Sequence, residues 1–246
     1  MERKKMTDRI YGEFARYYDL LGWNRFAQFS AERLKNFVAF RGQGKETVLD
    51  LACGTGELEY RLKRTKMRFT GIDISWKMLT EARRKNKNVK FIHGDMTNVR
   101  LNQKFDIVVC FFDSVNHLSG ITAIKRLFKT ARMHLNKGGF FIFDMLTPEG
   151  LERWEAIDIR REKDYYVTIN GHYDQDKIKA EVTIEGFVKS GRSTYQRFNQ
   201  VVAECSFTLD KVAEALTIAG FDDISVTSFN NDEPIEETSR WFFVVR

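Results

Sequence analysis

Proline is almost missing from this chain: Pro148 and Pro234 are the only two in 246 residues, so long helices and strands meet few obligatory breaks. Cysteine is scarce as well. Cys53, Cys110 and Cys205 are odd in number and widely spaced, which excludes a disulfide framework. Cys53 and Cys110 lie in apolar segments, so reduced, buried thiols in a cytoplasmic protein are expected. No apolar run approaches the roughly 20 residues that cross a bilayer, and the N-terminal MERKKMTDRI lacks the apolar stretch of a signal peptide. With 43% hydrophobic and 30% charged residues, the composition is neither disordered nor collagen-like. There is no internal repeat, and no metal-ligand set is assigned.

The formal charge is +6. Such a balance can favour acidic small molecules. The basic clusters are short, however: Arg61–Arg68, Arg83–Lys90 and the N-terminal Arg3-Lys4-Lys5 fall on polar helix faces or connections. They read as solvated faces rather than a nucleic-acid footprint.

Hydrophobic spacing predicts a helix over 8–21 from Ile10, Phe14, Tyr17, Tyr18 and Leu21, and a second from Phe26, Phe29, Leu34, Phe37 and Val38. The pattern then alternates. TVLDLA (47–52), MRFTGID (67–73), VKFIHG (89–94), FDIVVCFF (105–112) and GFFIFDML (139–146) read as buried strands. Helices are expected between them over about 56–64, from a Ser75 cap to about Asn86, and over about 119–135, the last closed by Lys137-Gly138-Gly139. Short apolar strands alternating with helices imply an α/β fold, a doubly wound, mostly parallel sheet covered on both faces. After Pro148 the period changes to two, with turn signals at Asn170-Gly171 and Ser190-Gly191-Arg192, so about three antiparallel strands are expected in 160–206. A helix at 208–219 closed by Gly220, a strand at 222–229 and a terminal strand RWFFVVR (240–246) complete the chain. The expected organisation is an N-terminal helical lid (1–40), a Rossmann-like domain (41–147 and 207–246) and an inserted β-rich cap (148–206).

The turn Asp50-Leu51-Ala52-Cys53-Gly54-Thr55-Gly56 follows a strand and opens a helix, where open α/β sheets bind ligands. Its glycines allow close backbone approach, and the helix start offers unpaired N–H groups. The dinucleotide fingerprint needs a third small residue where Glu59 stands, and the Gly-Lys-Ser/Thr of a phosphate loop is absent. Asp50 and Glu57 would repel a pyrophosphate but suit a ligand carrying an ammonium and a sulfonium. Asp73 ends the second strand and can accept from both ribose hydroxyls. Ile74 and Met78 can offer apolar surface to adenine, and Asp95-Met96 can meet its exocyclic amine and a ring nitrogen. Any one of these acids could be an ordinary turn carboxylate; acids at successive strand ends are much less expected by chance.

VLDLACGTGELEYRL, FTGIDISWKMLTEAR, VKFIHGDM and FDIVVCFFDSVNHL, in order over 47–147, resemble the class I (Rossmann-like) S-adenosylmethionine-dependent methyltransferases. The resemblance implies a seven-stranded sheet with its last strand antiparallel, S-adenosylmethionine as cofactor, and site roles for matching positions. Asp50, with Ala52, Cys53, Gly54 and Gly56 of the turn, would hold the methionine portion, Asp73 the ribose, and Asp95 with Met96 the adenine. Ile74, Met78 and Phe111 would add apolar wall. Tyr11-Gly12-Glu13-Phe14-Ala15 through Tyr18-Asp19 looks like the segment that small-molecule members fold over the cofactor, Tyr11 and Tyr18 touching it. The insertion is similar to that of glycine and amino-sugar N-methyltransferases.

Acceptor candidates follow strand four: Asp113, Asn116 and His117, with Asp144 at the end of strand five and Arg197 in the insertion. His117 and Tyr18 are the candidate catalytic groups. Each has a second reading, His117 as a loop-packing histidine and Tyr18 as a core residue; Asp144 could equally be a structural cap. The expected reaction is methyl transfer by in-line displacement to N or O of a small-molecule acceptor. An RNA or protein methyltransferase, motivated by the charge, and a non-catalytic cofactor-binding regulator remain as alternatives. Oligomeric state and acceptor identity are not set by these residues.

Overall fold

The structure is a computed structural model and describes residues 11–41, 44–229 and 233–246. A long helix, α1 (Phe26–Arg41), precedes the first strand, β1 (Thr47–Leu51). The β-α alternation continues through α2 (Glu57–Leu62), β2 (Arg68–Asp73), α3 (Trp76–Lys85), β3 (Lys90–His93), β4 (Phe105–Cys110), α4 (Ile121–His134) and β5 (Leu135–Leu146). Beyond α5 (Pro148–Glu152) come the antiparallel strands β6 (Ile157–Arg161), β7 (Tyr165–Asp174), β8 (Lys179–Lys189) and β9 (Tyr195–Cys205), and then α6 (Leu209–Ile218), β10 (Ile224–Ser228) and β11 (Arg240–Val245).

Seven strands form one sheet in the order β10-β11-β5-β4-β1-β2-β3. β3, β2, β1, β4 and β5 are mutually parallel, and the terminal β11 runs antiparallel to both β5 and β10, as expected for a Rossmann-like methyltransferase sheet. Alternation along the strands divides the core. Leu49, Val108, Phe141 and Phe143 pack with Leu127 and Phe128 of α4 and Leu216 of α6. Val48, Val109 and Ile142 face Leu34 and Val38 of α1 and Leu58 of α2. The order reverses between β1 and β4, so the carboxyl ends of these two strands open the crevice where ligands bind in such sheets.

Several expectations change. The helix anticipated over 8–21 is a short 3-10 turn at Glu13–Arg16, and Ile10 lies outside the described residues. Its apolar spacing serves another purpose: Phe14, Tyr17 and Tyr18 pack against Val167, Val188 and Phe198 of the second sheet. Gly22, with φ of 85°, turns the chain. The second helix buries Ala31, Leu34 and Val38 but leaves Phe29 exposed. Lys137-Gly138-Gly139 does not close α4, which ends at His134. It lies inside β5, where the register with β4 shifts between Phe105 and Ile107. The second sheet has four strands, ordered β6-β7-β8-β9, rather than three. β6 (IDIRR) is exposed at every position, so it carries no one-sided alternation to read.

The basic run on α3 is tied into the fold. Arg83 donates to the Phe91 carbonyl at 2.9 Å, Arg84 pairs with Glu81 at 2.7 Å, and Lys85 Nζ lies 2.6 Å from both Asp19 and Glu57. No helix among the described residues is long and apolar enough to cross a membrane.

Candidate cofactor and acceptor site

The glycine turn after β1 bends through three left-handed residues: Ala52 at φ 69°, Gly54 at 54° and Gly56 at 68°. Cys53 N–H donates to the Ile72 carbonyl of β2 at 2.9 Å, which pins the turn over the sheet edge. The two glycines serve different needs. A Cβ on Gly56 would stand 2.8 Å from Asn86 Nδ2 and 3.0 Å from the Phe91 ring, so this glycine lets α2 pack on its neighbours. A Cβ on Gly54 would meet nothing within 4 Å; that side faces the cavity. Gly54→Val should weaken S-adenosylhomocysteine binding by about tenfold or more while its left-handed strain lowers stability by only about 1–3 kcal/mol. Titration calorimetry beside thermal melting separates the two effects.

Three buried carboxylates surround the turn: Asp50, Glu59 and Asp73. Burial pushes Asp50 well above the usual carboxylate range, and the charges of Glu59 and Asp73 push it further. Burial likewise raises Glu59 to about 7, against the opposing pull of a backbone hydrogen bond and Lys85. Asp73 is raised by burial to about 6, although the Ser75 and Gly54 N–H groups hold it back. Those bonds fix the side chain: Gly54 N–H donates to Oδ2 at 2.9 Å and Ser75 N–H to Oδ1 at 2.7 Å. Asp50 lines the cavity. Glu57 is less available than its position suggests, because it pairs with Lys85 at 2.6 Å and Arg61 at 3.0 Å. A cationic ligand would relieve the charge crowding at Asp50, and the donor set therefore fits a sulfonium and ammonium compound.

The ends of β2 and β3 are locked side by side. His93 Nε2 lies 2.8 Å from the Ile74 carbonyl, and its ring stacks on Trp76 at 4.3 Å. Ser75 caps α3 by accepting from Met78 N–H at 3.3 Å. Asp95 Oδ1 accepts from the Thr97 N–H at 2.8 Å and hydroxyl at 2.7 Å. Ile74, Met78, Asp95, Met96 and Phe111 all line the same cavity as Asp50, Cys53, Gly54 and Asp73. So do Ala52, Tyr11 and Tyr18, whereas Gly56 packs behind the turn. Thr55 Oγ1 donates to Asp19 at 2.7 Å, which holds the N-terminal segment beside the glycine turn.

The acceptor candidates separate into two groups. Asn116 is fully buried: its Nδ2 donates to the Leu146 and Cys205 carbonyls at 3.1 and 2.9 Å, and its Oδ1 accepts from Leu146 N–H at 2.9 Å. It is a tie between β5 and β9 and does not reach the cavity. Asn116→Ala should destabilise the protein by about 2–4 kcal/mol, since it orphans buried backbone groups. Chemical denaturation reads that loss, and the affinity of the folded fraction for S-adenosylhomocysteine should be unchanged. Asp144 is also fully buried and outside the cavity lining. Its carboxylate accepts from Phe112 N–H at 2.7 Å and Asp113 N–H at 3.0 Å, and pairs with Arg240, which reaches Asp113 at 3.1 Å. This clamp holds the left-handed pair Phe112 and Asp113, φ 57° and 47°. Asp144 therefore has the structural role, while Asp113 and Arg240 reach the cavity wall. Arg197 is exposed on β9 and faces Glu185 at 3.6 Å, away from the cavity.

His117 lies in the wall. Its Nε2 is 3.0 Å from the Tyr11 hydroxyl and 3.6 Å from Glu204 Oε1. Burial lowers the imidazole's affinity for a proton, opposed by Asp113 and by a hydrogen bond to the Ala203 backbone. Burial raises the Tyr11 and Tyr18 hydroxyls well above their ordinary range, so both are neutral donors. Glu204 and Arg240 were not among the residues singled out by sequence. The signal for Glu204 was its parity: it falls on the same face of β9 as Phe198, Gln200 and Val202, a buried face. Nothing local marks Arg240, whose partners are distant in the chain.

The cavity is continuous, about 1090 Å³, from the glycine turn to Val182, Ile184 and Val202 on the inner face of the second sheet. Ordinary ligand pockets hold roughly 300–1,000 Å³, so there is room for a cofactor and a second molecule.

Residues 48–139 match the methyltransferase-domain family. A putative methyltransferase of Geobacillus sp. strain WCH70 is 27% identical, covering 96% of this chain and 99% of its own length. The dTDP-3-amino-3,4,6-trideoxy-α-D-glucopyranose N,N-dimethyltransferase of Streptomyces venezuelae is 26% identical, over 85% of this chain and 90% of its own. Among solved structures, an S-adenosylmethionine-dependent methyltransferase from Clostridium acetobutylicum superposes with a TM-score of 0.80 at 25% identity, covering 96% of this chain and 98% of that one. Together with the sheet order and the turn at Asp50–Gly56, these likenesses support an S-adenosylmethionine-dependent methyltransferase built on the class I sheet.

Proposed function

We propose that the enzyme methylates a nitrogen or oxygen of a small molecule held between the glycine-turn end of the large sheet and the inner face of β6–β9. The observation that carries this reading is the single cavity joining the two places, with Tyr11, His117 and Glu204 at their junction. The N,N-dimethyltransferase relatives that act on amino sugars support a compact acceptor, and exposed Arg126, Arg153 and Arg160 at the cavity rim suit one with an anionic tail.

When bound, S-adenosylmethionine supplies a methyl group already activated on a sulfonium, so the chain need only hold, align and dry the reactants. Asp50 would receive the ammonium and Asp73 the ribose hydroxyls. Asp95 and Met96 would take the adenine against Ile74 and Met78. Tyr11 and Tyr18 would close over the cofactor as part of the N-terminal lid, and residues 148–206 would form the acceptor cap. His117, kept neutral by burial, would be able to take a proton from the acceptor through Nε2. Cys53, Cys110 and Cys205 are all unpaired, which fits a reducing, cytoplasmic setting.

The test is transfer of labelled methyl groups to a panel of small amines and alcohols, amino-sugar nucleotides included. Label appearing only on RNA or protein substrates would refute a small-molecule acceptor.

A further inference from the structure

Glu204 stands where an apolar wall would be expected. It lies on the inner face of β9, two residues from Val202 and opposite Ala180 of β8, and only 3% of it is exposed. Val182, Ile184 and Val202 line the cavity around it. Its Oε2 has no hydrogen-bond partner among the described residues, and its Oε1 is 3.6 Å from His117 Nε2. Buried carboxyl oxygens are ordinarily satisfied by protein or by a bound group, and this one borders the space left for the acceptor.

We propose that Glu204 is the amine-recognition group of the acceptor chamber, selecting acceptors with a primary or secondary amine over hydroxyl counterparts and holding the proton the amine gives up on entry. This rests on the small-molecule reading above and narrows it to a substrate class. An amine arrives in water as its ammonium. One N–H bond breaks and one O–H bond forms on Glu204, so ammonium and carboxylate become amine and carboxylic acid. The nitrogen recovers its lone pair, no charge is stranded in the apolar chamber, and the proton leaves from Glu204 to solvent after product departs. Burial raises the affinity of the Glu204 carboxylate for a proton, reinforced by Asp113, Asp144 and Cys205 and opposed by Arg240, so it can take the one that an entering ammonium brings. The other titratable neighbours, His117 and Tyr11, are neutral for the same reason, burial. Such a pair suits a nitrogen nucleophile. A hydroxyl arrives with no positive charge to pair with the carboxylate and no extra proton to give up, so it gains less from Glu204.

The test uses the full chain saturated with S-adenosylhomocysteine, whose binding is measured first and separately. Two matched pairs serve as probes: dTDP-3-amino-3,6-dideoxyglucose with its 3-hydroxy counterpart, and cyclohexylamine with cyclohexanol. In the wild type, the amine of at least one pair should bind about tenfold or more tighter than its alcohol, the scale of one buried hydrogen bond. Glu204→Gln should erase that preference with S-adenosylhomocysteine affinity unchanged. Equal affinities within each pair, a preference that survives in E204Q, or failure of both amines to bind the cofactor-loaded protein each overturns the assignment. The wild-type comparison decides even if E204Q does not fold. Failure of the small-molecule reading looks different: it is methyl label found only on macromolecules, whereas label on small alcohols would sink the amine assignment alone.

Discussion

Asp73→Ala should weaken S-adenosylhomocysteine binding by on the order of 10²–10³-fold, as measured by titration calorimetry. Hydrogen bonds to a charged group are worth about 1.5–3 kcal/mol each, and in the proposed role the carboxylate accepts two from ribose. Its bonds from Gly54 and Ser75 N–H mean that the same change also loosens the glycine turn. The wild type carries a pH signature of this residue. The free carboxyl titrates near 6, and ribose hydroxyls bind best to its charged form. The Asp73 contribution alone should lower affinity about tenfold between pH 7 and pH 5, and that share of the slope should be lost in Asp73→Ala while the shares of Asp50 and Glu59 persist. Stability runs the opposite way. The folded pKa lies above the ordinary value of 3.8, so the native state retains a proton that the unfolded chain has released. This contribution is present at low pH and is lost as pH rises through about 4 to 6. Cofactor binding restores it, so the thermal shift given by S-adenosylhomocysteine should be larger at pH 7 than at pH 5.

The second large effect is expected at Arg240. Arg240→Ala would leave Asp113 and Asp144 buried without their cation. Removing one partner of a buried ion pair costs about 3–5 kcal/mol, which for a chain of this size corresponds to a fall in melting temperature on the order of 10 °C. The left-handed turn at Phe112 and Asp113 would lose its clamp, and acceptor binding should weaken with it because Asp113 and Phe112 line the cavity. Asp144→Asn in the same chain should recover part of the stability by removing one of the stranded charges. A double variant no more stable than Arg240→Ala would show that the ion pair is not what holds this turn.

The five parallel strands and the glycine turn were legible because their signals are local. Apolar runs, a Ser75 cap and acids at successive strand ends all lie within a few residues of what they determine. The N-terminal segment misled for the opposite reason. Tyr17, Tyr18 and Leu21 have helical spacing, but their burial comes from Val167, Val188 and Phe198, which are distant in sequence. Tertiary packing overrode a pattern that, alone, reads as a helix. Asn116 and Asp144 lie in the neighbourhood their sequence positions indicate, but neither lines the cavity, and Asp144 takes the cap role that was its second reading. A polar residue after a strand can face a ligand or tie down backbone, and only the carbonyls of Leu146 and Cys205, or the guanidinium of Arg240, decide between them. Glu204 was hidden by register: its inward parity is visible, but the cavity it enters is not.

The tie at Asn116 bears on how such enzymes diversify. The insertion leaves the large sheet at Leu146 and returns at Cys205–Ser206, and the Leu146 carbonyl accepts from both Asn116 Nδ2 at 3.1 Å and Ser206 Oγ at 2.7 Å. Exit and re-entry are thus stapled at one point of the scaffold. Whatever chain lies between them begins and ends in the same place, so it can lengthen, shorten or be exchanged without shifting the strands that lead to Asp50, Asp73 and Asp95. A segment grafted from a relative between these two residues should therefore be tolerated by the sheet.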